Sequence, residues 1–323
     1  MLRMFSSQIK KMVSELAGLF GALVVLIIIF GLTANNFFTL ITFKTIANQI
    51  PDVTIVAAGM TFVLIIAGID LSVGSVMALC GAVLGVSIIN WHLPLWAAIG
   101  LCCLTGLGCG LLNGSVIVRW KLPSFIVTLA MLEIARGAAY LVTDSRTIYI
   151  GGTIEKISDA SVLGISLPAI IAFLVIVLAQ IVLSYTVFGR YMVAIGTNEE
   201  VVRLSGINPK PIKIAVFAIC SLLTAVGAII QTARLSSANP NTGMGLELQA
   251  IAAVVIGGTS LMGGKGSVIR TFLGVLIIGV LSTGLAQIGA QEPTKRLITG
   301  LVILAAVVLD YYRNRFRRKD AID

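Results

Sequence analysis

The sequence predicts an all-α integral membrane protein of about ten transmembrane helices, with both termini in the cytoplasm. Hydrophobic residues make up 58% of the chain and charged residues only 11%, and the apolar residues come in long runs. Soluble domains carry about 25% charged residues, and a helix that crosses a bilayer needs roughly 20 mainly apolar residues. The runs lack the apolar–polar alternation of a membrane β-barrel, so we expect helices.

The helix boundaries follow the glycine, proline and charged residues between the apolar runs. The first run is long and no small-residue cleavage site follows it, so we interpret it as a retained helix rather than a signal peptide. The eighth run is short, and Gly257 and Gly258 at its end predict that this helix breaks early. The predicted spans are residues 17–34, 46–67, 71–89, 96–118, 123–143, 168–188, 212–233, 246–261, 267–288 and 295–312.

The distribution of lysine and arginine residues predicts the orientation. Sixteen lie on the side of the termini and six on the other side, while Arg136 lies inside a span. The side with the excess is expected to be cytoplasmic. The C-terminal run RNRFRRK contributes to the net charge of +9 and directly follows a span. We therefore assign that run to anionic membrane lipid rather than to nucleic acid.

The sequence offers no enzyme or metal site. The five cysteines lie in predicted spans without a CxxC pair, and the single histidine, His92, stands beside Trp91 near the end of a span. We therefore predict no catalytic residue and no metal ligand. The segment GGKGS is not a phosphate-binding loop, because Lys265 is followed by Gly266 where that motif requires serine or threonine. The chain is predicted to have no ATPase site of its own.

A glycine-flanked turn with one charge, GIDLSVGS at 68–75, interrupts apolar sequence. Its aspartate is predicted to cap a helix that begins at Leu71, in preference to a direct role with substrate. A second break, IGGTSLMGGKGSV at 256–268, has a similar outline. Paired interruptions are typical of repeat-built transporters, but both breaks face the cytoplasm in the predicted topology, so a repeat stays open. The predicted helix-junction or gate residues are Gly68, Asp70, Ser72, Gly74, Gly263 and Gly264.

Two long connections lie on opposite sides of the predicted membrane. The outer one, 144–167, can be a plain loop or hold a short surface helix. In the cytoplasmic one, 190–211, Thr197 and Glu200 form a capping-box pattern, and Gly206 supplies a helix stop. These signals predict a short helix from about Asn198 to Ser205. Helices of that length are marginal in water, so we expect this one to dock on a partner.

A few polar side chains lie within predicted spans. Glu133 and Arg136 are three residues apart and share a helix face. Charges at that depth rarely face lipid, so these two either line a pore or form a structural ion pair, and we favour the ion pair. Uncharged polar residues in spans can bind sugar hydroxyls or join helices. The candidate pathway-lining residues are Asn113, Glu133, Arg136, Gln249 and Gln287.

Four separated blocks carry a family resemblance: GMTFVLIIAGIDLSVGSVMALCGAV, GRYMVAIGTNEEVVRLSGIN, ARLSSANP and LQAIAAVVIGGTSLMGGKGSVIRTFLGVLIIGVL. In this order they resemble, over nearly the whole chain, the permease subunit of bacterial ribose-type sugar importers with ATP-binding cassettes. The resemblance implies a permease homodimer in the inner membrane and cytoplasmic cassette subunits that bind ATP and Mg. It also implies a periplasmic sugar-binding protein that docks on outer loops, including 144–167 and 236–246.

The resemblance further implies that the segment after Gly196 couples the permease to the cassette. The residues concerned are Thr197, Asn198, Glu199, Glu200, Arg203, Leu204, Ser205 and Gly206. Ribose is the first guess for the substrate, because GGTSLMGGKG and RLSSANP look closest to the ribose permease. Other pentoses, hexoses and small polyols stay open, since specificity in this family is expected to reside largely in the binding protein.

Two other classes of function stay open. An ion-coupled secondary sugar transporter places ionisable groups at mid-membrane, and Glu133 is the acidic residue that the sequence places deep in a span. A receptor or scaffold that transports nothing is the third class.

Overall fold

The structure, a computed structural model, describes residues 2–162 and 164–319. The described chain is helical apart from two short antiparallel strand pairs. The helices are α1 (Leu2–Thr33), α2 (Leu40–Gln49), α3 (Pro51–Ile65), α4 (Val73–Ile89), α5 (Leu95–Trp120), α6 (Ser124–Val142), α7 (Gly152–Asp159), α8 (Leu167–Tyr185), α9 (Val187–Leu204), α10 (Lys210–Leu235), α11 (Leu246–Ile256), α12 (Val268–Gln287) and α13 (Glu292–Lys319). The strands are β1 (Ile148–Tyr149), β2 (Ser161–Val162), β3 (Ile165–Ser166) and β4 (Ser237–Ala238).

Each predicted span coincides with a helix or with a bent helix pair. Within the described residues, six helices are long and apolar enough to cross a membrane, and α2 with α3 makes a seventh if this pair, bent by 44°, counts as one span. Helices α4 and α11 are shorter than a full span. The early end of the eighth predicted helix is confirmed, since α11 stops at Ile256. The count of ten spans and the cytoplasmic termini stay predictions, and the side chains of the basic run at 313–319 lie outside the described residues.

Helix α10 is the centre of the molecule and packs against α3, α4 and α5. Three glycines of α5 at four-residue spacing, Gly106, Gly110 and Gly114, allow its close approach. A Cβ on any of them would lie 2.5 to 2.8 Å from an atom of α10. Small residues at this spacing bring helix backbones together in membranes, where burial of apolar surface between helices gives little driving force. The approach places the polar side chains of α10 near those of its neighbours.

The helices define two ends of the molecule, which we name by what lies there. The hairpin end carries α7 and the pairing of β1 with β4, in which Ile148 lies opposite Ala238. The α9 end carries the last turns of α9 and the first residues of α10. The connection 144–167 therefore contains a short helix with flanking strands, so of the two alternatives for it the surface helix is the one found.

Candidate functional site

The two glycine-rich breaks that the sequence singled out meet at the α9 end. The amide of Gly264 donates to the carbonyl of Ile65 over 2.8 Å. A Cβ on Gly196 would lie 1.7 Å from that same carbonyl oxygen, and a Cβ on Gly263, whose φ is +82°, would lie 2.7 Å from the oxygen of Gly196. We call this contact of residues 65–68, 196–197 and 263–266 the glycine junction. Backbone packs directly on backbone there, so only glycine fits at its centre.

The break between α3 and α4 is held by the first turn of α6. The amides of Ile69 and Leu71 donate to the hydroxyls of Ser124 (2.9 Å) and Thr128 (3.1 Å), and the Thr128 hydroxyl donates to the carbonyl of Ile69. Non-helical backbone at membrane depth is tolerated only where such partners are available. The side chains of α6 therefore stabilise the break between α3 and α4.

Asp70 is fully buried, but it does not cap a helix that begins at Leu71, because α4 begins at Val73. Its Oδ1 accepts from the amide of Ser72 (2.9 Å) and from the Ser72 hydroxyl (2.6 Å), a local turn of the kind that aspartate forms two residues ahead. Asn113 donates to the Ser72 hydroxyl over 3.1 Å. The structure thus brings Asp70, Ser72 and Asn113 together as one buried polar cluster beside the break.

The segment 239–245 returns from the hairpin end into the protein and leads to α11. Arg136 donates to the carbonyls of Pro240 and Thr242, the latter over 2.8 Å, and the hydroxyl of Tyr140 donates to the side chain of Asn241. The expected ion pair of Arg136 with Glu133 is wrong: no described ion pair joins them, and Glu133 is exposed. The guanidinium instead donates to backbone carbonyls that lie outside any helix. Such carbonyls need a hydrogen-bond donor when they lie within the membrane.

The other two candidate residues have different surroundings. Gln287 donates to the Thr42 hydroxyl over 2.7 Å and so joins α12 to α2. Gln249 lines a cavity of about 250 Å³ near the hairpin end together with Asp52 and Arg234. The carboxylate of Asp52 is paired with Arg234 over 2.9 Å.

Sequence reasoning missed this pair as a site. In the sequence, Arg234 counts only as one of the six positive charges predicted on the outer side. The sequence does place Asp52 and Arg234 near the outer ends of two predicted spans. Their pairing could not be predicted, because no sequence pattern relates residues that are 182 positions apart.

Helix α9 changes direction at Asn198, which has φ −162° and ψ 99°. Its side-chain oxygen accepts from the amide of Val201 over 3.1 Å, so Asn198 is the N-cap of the last turns. The predicted cap, Thr197, is wrong: its hydroxyl instead donates back to the carbonyl of Val193. The short helix therefore exists, but it continues α9 after a kink instead of standing alone in a loop.

The stop at Gly206 is confirmed. Gly206 has φ +83°, its amide donates to Arg203, and the amide of Ile207 donates to Val202. These two bonds form the Schellman arrangement, in which a residue in the left-handed region ends a helix. The chain then turns through Pro209 into α10.

Residues 198–213 and the end of α5 form what we call the α9 surface. It encloses a concavity of about 690 Å³. Leu204 is 77% exposed and Val201 55%. Around them stand charged side chains, with Arg203 paired to Glu200 and Lys213 paired to Glu199. An apolar centre with a charged rim is typical of a protein docking surface.

Within the described residues, no group of three or more histidine, cysteine, aspartate or glutamate side chains is placed to hold a metal ion. The site consists of an exposed surface of apolar and charged side chains and a buried polar cluster beside two helix breaks.

A helical membrane chain with interrupted helices and an exposed apolar surface fits the class of membrane permeases, and comparison with known proteins gives the family. Residues 41–307 match the family described as "Branched-chain amino acid transport system / permease component". The chain is 42% identical over 298 residues to the ribose import permease protein RbsC of Haemophilus influenzae, covering 91% of this chain and 92% of that protein. It is 35% identical over 303 residues to the L-arabinose transport system permease protein AraH of Escherichia coli (93% and 92%). It is also 34% identical over 302 residues to the fructose import permease protein FrcC of Rhizobium meliloti (90% and 83%).

The chain belongs to this family of transport-system permeases. It is accordingly a multi-pass protein of the bacterial inner membrane.

Proposed function

We propose that the protein is the membrane-spanning subunit of an importer that carries a monosaccharide, in the first place ribose, into the cell. ATP hydrolysis on a separate cassette subunit, which binds ATP and Mg, drives the transport, and the permease itself hydrolyses nothing. The names of relatives that match nine-tenths of the chain support the sugar. We further propose ten spans with cytoplasmic termini, a permease homodimer, and a periplasmic binding protein that docks on the hairpin end.

The observation that carries this proposal is that α9 reaches both the glycine junction and the α9 surface, on the two sides of its kink at Asn198. The same helix contacts the glycine junction through Gly196 and carries the α9 surface from Asn198 onward. A cassette that seats on Val201 and Leu204 and moves when it closes would displace the backbone on which Ile65 and Gly264 rest. ATP hydrolysis on the cassette, outside the membrane, would thereby move the helix breaks inside it.

The experiment is uptake of D-ribose by proteoliposomes that contain permease, cassette and binding protein. Charge reversal at Glu199, Glu200 and Arg203 should abolish ATP-dependent uptake or detach the cassette. The matched control is Lys44→Glu in α2, a charge reversal at an exposed residue outside the α9 surface and outside the loops 144–167 and 236–246. Normal coupling in the triple variant would refute the assignment of the α9 surface.

An ion-coupled secondary transporter is the second candidate, and the observation that favours it is the buried carboxylate of Asp70. Its Oδ2 has no hydrogen-bond partner among the described residues, and ionisable groups inside membranes commonly mark ion pathways. Uptake that persists with an inactive cassette but collapses with the proton gradient would establish this candidate in place of the first.

A further inference from the structure

Three segments of the chain line the cavity near the hairpin end. Gln49 and Asp52 flank the bend between α2 and α3, Gln231 and Arg234 come from the last turns of α10, and residues 243–249 lead into α11. Its volume is about 250 Å³, which is room for a small molecule and not only for a single water.

The charges of the cavity cancel within it. Asp52, only 3% exposed, accepts from Arg234 over 2.9 Å and from the amide of Val53 over 2.9 Å. A charged ligand would have to compete with Asp52 or Arg234 for its partner in this ion pair. The site therefore suits a neutral ligand better than a zwitterion or an ion.

The remaining polar groups suit hydroxyls. Gln49, Gln231 and Gln249 line the cavity, and each amide both donates and accepts hydrogen bonds, as a sugar hydroxyl does. The Oε1 atom of Gln231 and the Nε atom of Arg234 are buried without a hydrogen-bond partner among the described residues. Buried polar atoms without partners are unfavourable and call for an explanation. Both residues lie at the edge of the cavity, so the polar demand there is not met within the protein alone.

We propose that this cavity is a binding site for the monosaccharide within the permease, occupied as the sugar passes from the hairpin end toward the α9 end. The inference rests on the proposed function and deepens it, because it assigns sugar recognition to this chain as well as to a binding protein. The apolar side chains of Val53, Met244 and Leu246 complete the lining and can cover the C–H face of a sugar ring.

The first test measures uptake of D-ribose by proteoliposomes that contain the complete transporter. Gln231→Ala and Gln249→Ala each remove an amide from the cavity. Each should lower the uptake rate about three- to tenfold, the range expected for losing one hydrogen bond. The matched control is Gln291→Ala, an exposed glutamine in the loop before α13, which should stay within twofold of wild type. Equal rates in both cavity variants and the control would overturn the proposal.

The second test detects occupancy directly. Met244 is 58% exposed at the cavity, so Met244→Cys should react with a thiol reagent, and the reaction should slow when D-ribose is present and not when L-leucine is. Four of the five native cysteines are buried and Cys103 is partly buried, so labelling of the unsubstituted protein gives the background. Protection by L-leucine alone, or by neither compound, contradicts a sugar site.

The two tests separate this inference from the proposed function. If wild-type protein takes up ribose and neither Gln variant differs from Gln291→Ala, the cavity assignment fails and the proposed function stands. If wild-type protein takes up no sugar, the proposed function fails, and protection of Met244→Cys by D-ribose in the purified transporter decides the cavity alone. If Gln231→Ala does not assemble, Gln249→Ala, whose side chain is exposed, still provides the rate measurement.

Discussion

Replacement of Gly196 by alanine should break the link between the α9 surface and the helix breaks. The new Cβ would lie 1.7 Å from the carbonyl oxygen of Ile65 and 2.5 Å from the amide nitrogen of Gly264, both of which are backbone atoms. The backbones must separate, and overpacking of this kind costs about 1–3 kcal/mol. Loss of the bond from Gly264 to Ile65 adds about 0.5–1.5 kcal/mol. The higher helix propensity of alanine offsets up to about 1 kcal/mol of this, which leaves a net cost of about 0.5–4.5 kcal/mol.

The assay is ATP-dependent uptake together with the thermal stability of the purified complex. Gly196→Ala should lower the aggregation temperature and reduce uptake at least tenfold, because the proposed displacement of residues 263–266 by α9 then starts from a separated junction. Gly137→Ala is the matched control: it also lies within a helix, α6, and nothing lies within 4 Å of its Cβ position. Its stability should stay unchanged or rise by up to about 1 kcal/mol. Equal behaviour of Gly196→Ala and Gly137→Ala would refute the reasoning.

Three further predictions concern local contacts. Arg136→Ala should expose the 239–245 segment to limited proteolysis and cost about 2–4 kcal/mol, since two partly buried carbonyls lose their charged donor; unchanged cleavage would contradict this role. Asn198→Ala should weaken cassette binding about fivefold, because loss of an N-cap costs about 1 kcal/mol, whereas Thr197→Val should have the smaller effect in the same pull-down titration. Gly206→Ala places a side chain at φ +83° and should cost about 1–2 kcal/mol, seen as a lower melting temperature; an unaltered melting temperature would show that the Schellman turn is dispensable.

Features set by neighbouring residues could be predicted from the sequence. The apolar runs gave the positions of the helices, the glycines after Ile256 predicted the early end of α11, and Gly206 predicted the stop of α9. The cap was misplaced by one residue, from Asn198 to Thr197. Both side chains can cap a helix, and the choice depends on which residue carries the kink.

Features set by distant residues could not be predicted. The ion pair expected from the spacing of Glu133 and Arg136 is absent because the segment that competes for the guanidinium comes from more than a hundred positions away. A helix face shows which residues can pair, but not what the fold places opposite them. The contact of Gly196 with Gly263 and the pairing of Asp52 with Arg234 are of the same kind.

Three helices run from the cavity toward the α9 end, one to the α9 surface and two toward the glycine junction. Helix α10 carries Lys213, paired with Glu199, at one end and the cavity residues Gln231 and Arg234 at the other. The distance from Lys213 to Gln231 along the helix axis is about 27 Å, from a rise of 1.5 Å per residue. Helix α3 likewise runs from the cavity to the glycine junction. Helix α11 runs from the cavity to the turn that supplies residues 263–266 of that junction.

Packed helices move as rigid bodies, so a tilt imposed at one end of α3, α10 or α11 changes the separation of side chains at the other. In the proposed cycle, cassette closure would therefore widen or narrow a sugar site without any cassette residue approaching it. If cassette binding changes the affinity of the cavity for sugar by some factor, then sugar binding must change the affinity of the permease for the cassette by that same factor. A cassette affinity that is the same with and without D-ribose would mean that these helices do not transmit the movement.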